Sequence, residues 1–216
     1  MIVAGVDEAG RGSILGPLVV AGICIRESKI EQLRMLGVKD SKKLSAKKRE
    51  RLYRKILNTV DDYYVRKVMP NEIDRYVSRK RLNALEASVM AHIINKLEPN
   101  IAYVDSCDVK PERFRAAVLS TLTCRAEVNS SHHADSNNVA VSAASIIAKV
   151  KRDREIARIA KKIRNVGSGY PSDERTMRFV SRWVRANGKA PKFARRSWKP
   201  MKVLLEKYSQ RKLTDF

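Results

Sequence analysis

Cysteine is scarce: residues 24, 107 and 124 are the only three, odd in number and without a CxxC pair. That pattern argues against a disulfide framework or a zinc site, and buried free thiols are expected. No apolar stretch approaches the roughly 18–20 residues that cross a bilayer, and no lipidation signal points to a membrane. The opening residues Met1 to Val6 lack the basic region of a signal peptide and run straight into charge. A cytoplasmic location is therefore the expectation. Acidic residues are short as well, 23 against 45 lysines and arginines, for a formal net charge of +22. The excess is uneven. Residues 149–216 hold 21 lysines and arginines against 6 aspartates and glutamates, a net +15, while residues 1–148 carry +7. Self-repulsion at that density destabilises a fold unless a polyanion offsets it, so nucleic acid is the expected partner.

What is present reads as short strands alternating with helices. Residues 2–8 and 17–25 are apolar, β-rich runs separated by Gly10-Arg11-Gly12-Ser13 and Gly16-Pro17, which predicts two strands joined by a turn as an antiparallel pair. Helices are predicted at about 28–36, at 46–58 with Ser45 as N-cap, at 71–77 after Pro70, and at 82–97 on the stripe Leu82, Leu85, Val89, Ile93, Leu97. Further strands are expected at 62–69, 101–105 and 125–128, and further helices at about 111–122 and 140–164. Beyond residue 169 the chain is mostly helical and basic, with Trp183 and Trp198 as packing anchors. The class implied is α/β, a mixed sheet flanked by helices, with a helical basic C-terminal lobe.

Asp7 and Glu8 sit together at the end of the first apolar run. Neighbours on a strand face opposite ways, so one of the two must point toward buried ground, where an unpaired carboxylate is costly. Asp105 ends another apolar strand, and Asp135 lies in the polar loop before the long helix. Four carboxylates from separate segments suit Mg²⁺ or Mn²⁺, which prefer oxygen ligands, and two such ions serve phosphodiester hydrolysis. Taken singly, each acid also fits a cap, a turn or an ion pair.

The run Val6-Asp7-Glu8-Ala9-Gly10-Arg11-Gly12, followed by Gly16-Pro17, resembles the opening signature of the ribonuclease HII family, a type 2 ribonuclease H. Asp40-Ser41-Lys42-Lys43-Leu44-Ser45, Tyr103-Val104-Asp105, the stretch from Ala134-Asp135 through residues 141–150 to Arg152-Asp153, and Gly167-Ser168-Gly169-Tyr170-Pro171-Ser172-Asp173 resemble its later blocks, the last in an archaeal form. They occur in family order across residues 3–173. Where family members often carry a lysine after the fourth carboxylate, this chain has Ser136-Asn137-Asn138.

The resemblance implies a ribonuclease H-like catalytic domain over residues 1–172 and a basic helical lobe and tail over 173–216. It implies metal ligation and catalysis by Asp7, Glu8, Asp105 and Asp135, ribonucleotide recognition by Gly10, Arg11, Gly12 and Tyr170, and phosphate contacts by Lys42 and Ser145. The activity implied is endonucleolytic cleavage 5′ to ribonucleotides in RNA/DNA hybrids or DNA duplexes, leaving 3′-OH and 5′-phosphate, by a monomer acting in DNA replication and repair. Asp153 reads as a structural acid paired with Arg152 or Lys149. Other classes compete. A metal-free mechanism would use His132 or His133, a plain basic binding protein would need only the +15 segment, and a resolvase or integrase core would share the acids but lack the glycine and tyrosine blocks. Finally, Gln210, Leu213 and Phe216 resemble the Q-x-x-L-x-x-F peptide that replication and repair proteins dock on a PCNA-type sliding clamp, Leu213 and Phe216 forming an apolar plug on a 3₁₀ turn.

Overall fold

The apolar opening runs form β1 (Ile2–Ala9) and β2 (Leu18–Arg26), paired antiparallel from Ile2↔Arg26 to Ala9↔Val19. This computed structural model describes residues 1–38 and 44–214, with side chains through residue 210. β1 is the central strand. On its far side β4 (Ile101–Asp105) runs parallel to it, and β5 (Glu127–Ser131) runs parallel to β4. β3 (Asp62–Val68) lies beyond β2, giving the order β3-β2-β1-β4-β5. The parallel register Val6↔Val104 sets Asp105, the last residue of β4, beside Asp7, two residues before the end of β1.

The helices are α1 (Ile30–Met35), α2 (Ala46–Thr59), α3 (Pro70–Val77), α4 (Leu82–Leu97), α5 (Pro111–Leu119), α6 (Ala134–Asn137), α7 (Val139–Lys162), α8 (Glu174–Asn187) and α9 (Lys199–Thr214). Local chemistry accounts for several of their starts. Ser45 caps α2 by accepting from Lys48 N at 3.3 Å, and Pro70 and Pro111 open α3 and α5, where a missing N–H is harmless. Asp173 caps α8 by accepting from Arg175 N at 2.9 Å.

The chain forms two compact units that interleave in sequence. The first comprises Met1–Ala9, Val19–Lys67 and Leu82–Lys151, and the second Gly10–Leu18, Val68–Arg81 and Arg152–Phe216. In the first, Ile23 and Ile25 of β2 are buried with Leu52 and Ile56 of α2 and Ala143, Ile146 and Ile147 of α7. Truncating one of these isoleucines to alanine costs about 2–5 kcal/mol. Ile93 and Leu97 of α4 pack at Gly22. α7 lies directly on β1 at Gly5, where a Cβ would collide with the backbone of Ala140 and Val141, so only glycine admits the helix there. In the second unit, Ile14, Leu15 and Ile156 pack with Phe179, Val180, Val184 and Met201, and Trp183 and Trp198 lie partly buried against them.

All three cysteines are free. Burial, more than nearby Asp62 and Asp61, pushes the Cys24 thiol up to about 11. Among the described residues no helix is long and apolar enough to cross a membrane.

Candidate active site

Within the first unit, the contact of α7 at Gly5 decides which way Asp7 faces. Residues 5 and 7 share one face of β1, so Asp7 points to the side that α7 covers, and it is only 4% exposed. Val141, Ser145 and Lys149 lie four residues apart along α7, hence on one stripe. Val141 meets Gly5, while Ser145 hydrogen-bonds to the Asp7 carboxylate and Lys149 attracts it. The parallel register places Asp105 on the same face beside Asp7, and the two carboxylates repel each other. Burial above all, with Asp105 adding to it, raises the Asp7 pKa from 3.8 to about 7 against the opposing pull of Ser145, the Glu8 N–H and Lys149. Glu8, next along the strand, is half-buried with its Oε2 inside.

Asp105 in turn fixes the start of α6. Its Oδ1 accepts from Ala134 N at 2.7 Å, next to His133, which adopts a left-handed backbone with φ of 54°. Asp135 follows directly and is 4% exposed; its carbonyl accepts from Ser142 Oγ at 2.5 Å. The structure thus brings Asp7 and Asp105 together and anchors the segment bearing Asp135 to Asp105. Among the described residues, no three His, Cys, Asp or Glu side chains stand as a ready metal cluster. A buried carboxylate beside a second one is nevertheless an environment that a hard divalent cation relieves.

Ser145, expected at a phosphate, is fully buried at Asp7. Lys42 lies outside the described residues. His132 and His133 are both exposed, with His132 Nε2 3.2 Å from Val109 O.

The glycine and tyrosine blocks belong to the second unit. Gly10 has a φ of 85°, and its carbonyl accepts from Ser13 N at 3.2 Å, closing a turn with Arg11 and Gly12 at its centre. Gly12 is exposed. Ser13 Oγ lies 2.8 Å from Gly169 O, and Ile14 N and Leu15 N donate to that same carbonyl, so the turn is stitched to the loop carrying Tyr170. Asp173 steadies that loop by accepting from Ser168 N at 2.5 Å, which holds its carboxyl down at about 2.

Two arginines here escaped the sequence reading of function. Arg152 is buried, donates to Ser13 Oγ at 3.0 Å and to Ser168 O at 2.5 Å, and lies 4.2 Å from the centroid of the half-exposed Tyr170 ring. Its contact with Asp153 is longer, 3.5 Å. Arg195 is wholly buried and bonded to the turn at residues 10–16. Arg195 has no local signal, being one of 45 lysines and arginines, whereas Arg152 lies in a stretch that resembles a family block and reads there only as a partner of Asp153. Of the tail residues, Gln210 is exposed within α9, which continues as α-helix to Thr214; the Leu213 side chain and Phe216 lie outside the described residues.

The family model for ribonuclease HII matches residues 4–201. The ribonuclease HII of Cenarchaeum symbiosum (strain A) is 52% identical over 206 residues, covering 94% of this chain and 98% of that one. The crystal structure of ribonuclease H2 from Pyrococcus horikoshii OT3 matches with a TM-score of 0.91 at 44% identity, covering 97% of this chain and 100% of that one. A chain in the structure of the PCNA:RNase HII complex from Archaeoglobus fulgidus matches with a TM-score of 0.84 at 44% identity, covering 92% and 96%. The mixed five-stranded sheet flanked by helices is therefore the ribonuclease H fold. Near-complete coverage at this identity leaves one assignment: the chain belongs to the ribonuclease HII family and is a ribonuclease H endonuclease.

Proposed function

We propose that the protein hydrolyses the phosphodiester 5′ to a ribonucleotide, in RNA/DNA hybrids or in DNA duplexes with embedded ribonucleotides, leaving 3′-OH and 5′-phosphate. The observation that carries this reading is the Asp7–Asp105 pair side by side on the adjacent parallel strands β1 and β4, with Asp7 buried and its pKa raised to about 7. Asp7, Glu8, Asp105 and Asp135 would hold Mg²⁺ or Mn²⁺. When bound, a pair of such ions supplies an activated water and stabilises the leaving oxygen. Ser145 orients Asp7 by hydrogen bonding, and with Lys149 it opposes the rise that burial imposes on the carboxyl. Ala134 N orients Asp105 by donating to its Oδ1.

Selection of the ribonucleotide falls to the turn at Gly10, Arg11 and Gly12 and to Tyr170. Only the 2′-OH distinguishes a ribonucleotide from its deoxy neighbours, and an exposed glycine turn lets backbone amides approach it. Tyr170, with one face on Arg152, offers the other to a sugar. Lys42 and the basic segment 149–216 engage the phosphates. The enzyme works as a cytoplasmic monomer in replication and repair, and the tail at Gln210, Leu213 and Phe216 docks on a PCNA-type clamp; a relative of similar fold is known in complex with PCNA.

The test is cleavage of a DNA duplex carrying one ribonucleotide, with and without Mg²⁺ or Mn²⁺, with both product ends identified. Cleavage without either ion, or a 2′,3′-cyclic phosphate end, overturns the reading.

A further inference from the structure

Arg195 is 0% exposed, and a guanidinium is expensive to remove from water. What it does there is specific. Nη2 donates to Gly10 O at 2.6 Å, Nη1 to Arg11 O at 2.7 Å and Nε to Gly16 O at 3.3 Å. The guanidinium also lies 4.7 Å from the centroid of the Trp198 ring, and the Arg195 N–H donates to Ile14 O at 2.9 Å. One planar fork thus holds both ends of the turn at residues 10–16, a task that the single ammonium of lysine cannot reproduce.

The consequence lies in the peptide planes. In a trans peptide the C=O of one residue and the N–H of the next point in opposite directions. With the carbonyls of Gly10 and Arg11 drawn onto Arg195, the N–H groups of Arg11 and Gly12 are turned away from it. Gly12 is exposed, and nothing lies within 4 Å of where a Cβ would stand. Successive amides aimed to one side form a concavity for an oxygen ligand. We infer that Arg195 is a positioning residue: it fixes the direction of these two amides and thereby sets the preference for a ribose 2′-oxygen over a deoxyribose. This rests on the reading of residues 10–12 as the recognition turn.

The experiment measures full-length protein in metal-free buffer, well below its melting temperature. The quantity read is the ratio of Kd for an all-DNA duplex to Kd for the same duplex with one ribonucleotide. Arg195→Lys and Arg195→Ala should each reduce that ratio on the order of tenfold, since a site built to hydrogen-bond a hydroxyl discriminates only while its donors are aimed. Added guanidinium should restore part of it in Arg195→Ala. Met201→Ala, a truncation in the apolar core of the same unit, should lower the melting temperature and leave the ratio unchanged. A retained ratio in both Arg195 variants, or an equal loss in Met201→Ala, overturns the proposal. Gly12→Pro, which deletes one of the two amides, separates the two levels. If it abolishes the preference while the Arg195 variants keep theirs, only the role of Arg195 fails; if it keeps the preference, the recognition turn itself is misread. Should neither Arg195 variant fold, the natural protein decides by NMR. The Arg11 and Gly12 amides must shift with the ribonucleotide duplex and not with all-DNA, while the Arg195 guanidinium protons exchange slowly in both. Rapid exchange or unmoved amides count against the proposal.

Discussion

Replacing Asp7 by Asn should abolish cleavage and at the same time stabilise the metal-free protein. The side chain keeps its size and can still accept from Ser145, but the buried charge beside Asp105 is gone. The folded pKa of about 7 lies above the ordinary 3.8, so the fold favours the protonated acid. The stability it contributes is fully present below about pH 4 and is lost as pH rises through 7. A displacement of roughly 3 pH units at 1.36 kcal/mol each amounts to about 4 kcal/mol, and local relaxation brings the expected gain to about 2–4 kcal/mol. For a chain of this size that raises Tm by roughly 5–12 °C at pH 8. At pH 4 both forms are neutral and the difference should vanish. Mn²⁺ at about 100 times its Kd should add about 2.7 kcal/mol to the natural protein and little to the variant, closing the gap. Calorimetry of both proteins at pH 4 and pH 8, with and without Mn²⁺, checks all of this. An equal Tm at pH 8, or the same increment at both pH values, would refute the account of Asp7 as a buried charge awaiting a cation.

Asp105→Asn should lose cleavage while retaining duplex binding by fluorescence anisotropy, because the groups proposed to engage the phosphates are other residues; substantial turnover at saturating Mn²⁺ would count against a metal site. Tyr170→Ala should slow cleavage of a single-ribonucleotide duplex by roughly 5–100-fold, the range that one aromatic stacking interaction spans, and an unchanged rate would end its assigned role. Neutralising exposed Lys189, Lys192 and Lys202 together should flatten the log–log salt dependence of binding by about 0.7–0.9 for each phosphate no longer neutralised. An unchanged slope would place this face away from the duplex. Phe216→Ala should weaken calorimetric binding to the sliding clamp of the same organism, and equal affinity in both proteins would make the segment a plain tail.

The elements that could be read from the sequence were those whose period and caps agree. Ser45 announced α2, and the stripe Leu82, Leu85, Val89, Ile93, Leu97 announced α4 within a residue at each end. Edges decided by tertiary pairing drifted. The last strand lies at Glu127–Ser131 rather than 125–128, because its register is set by β4 and not by its polar residues Asn129 and Ser130. α6 has only four residues, held by Asp105 from another strand, and therefore no local period. The strand-end acids were visible as acids, but the burial of Asp7 depends on α7 meeting Gly5, a contact with no local mark. Arg195 shows the limit most sharply: inside a basic segment, the arginine that is buried looks like its exposed neighbours.

The bonds from Arg195 to the turn at Gly10 also bear on synthesis. They join residues 185 positions apart, and at about 5–20 residues per second the ribosome makes Arg195 roughly 10–40 s after Gly10. For the latter part of that interval the nascent chain already holds Asp7, Asp105 and Asp135, while the carbonyls of its turn lack the bonds that Arg195 makes to them. A truncated product ending between residues 135 and 195 would carry all four acids proposed to hold metal without the arginine proposed to aim the turn, and should bind a ribonucleotide with little preference over its deoxy counterpart.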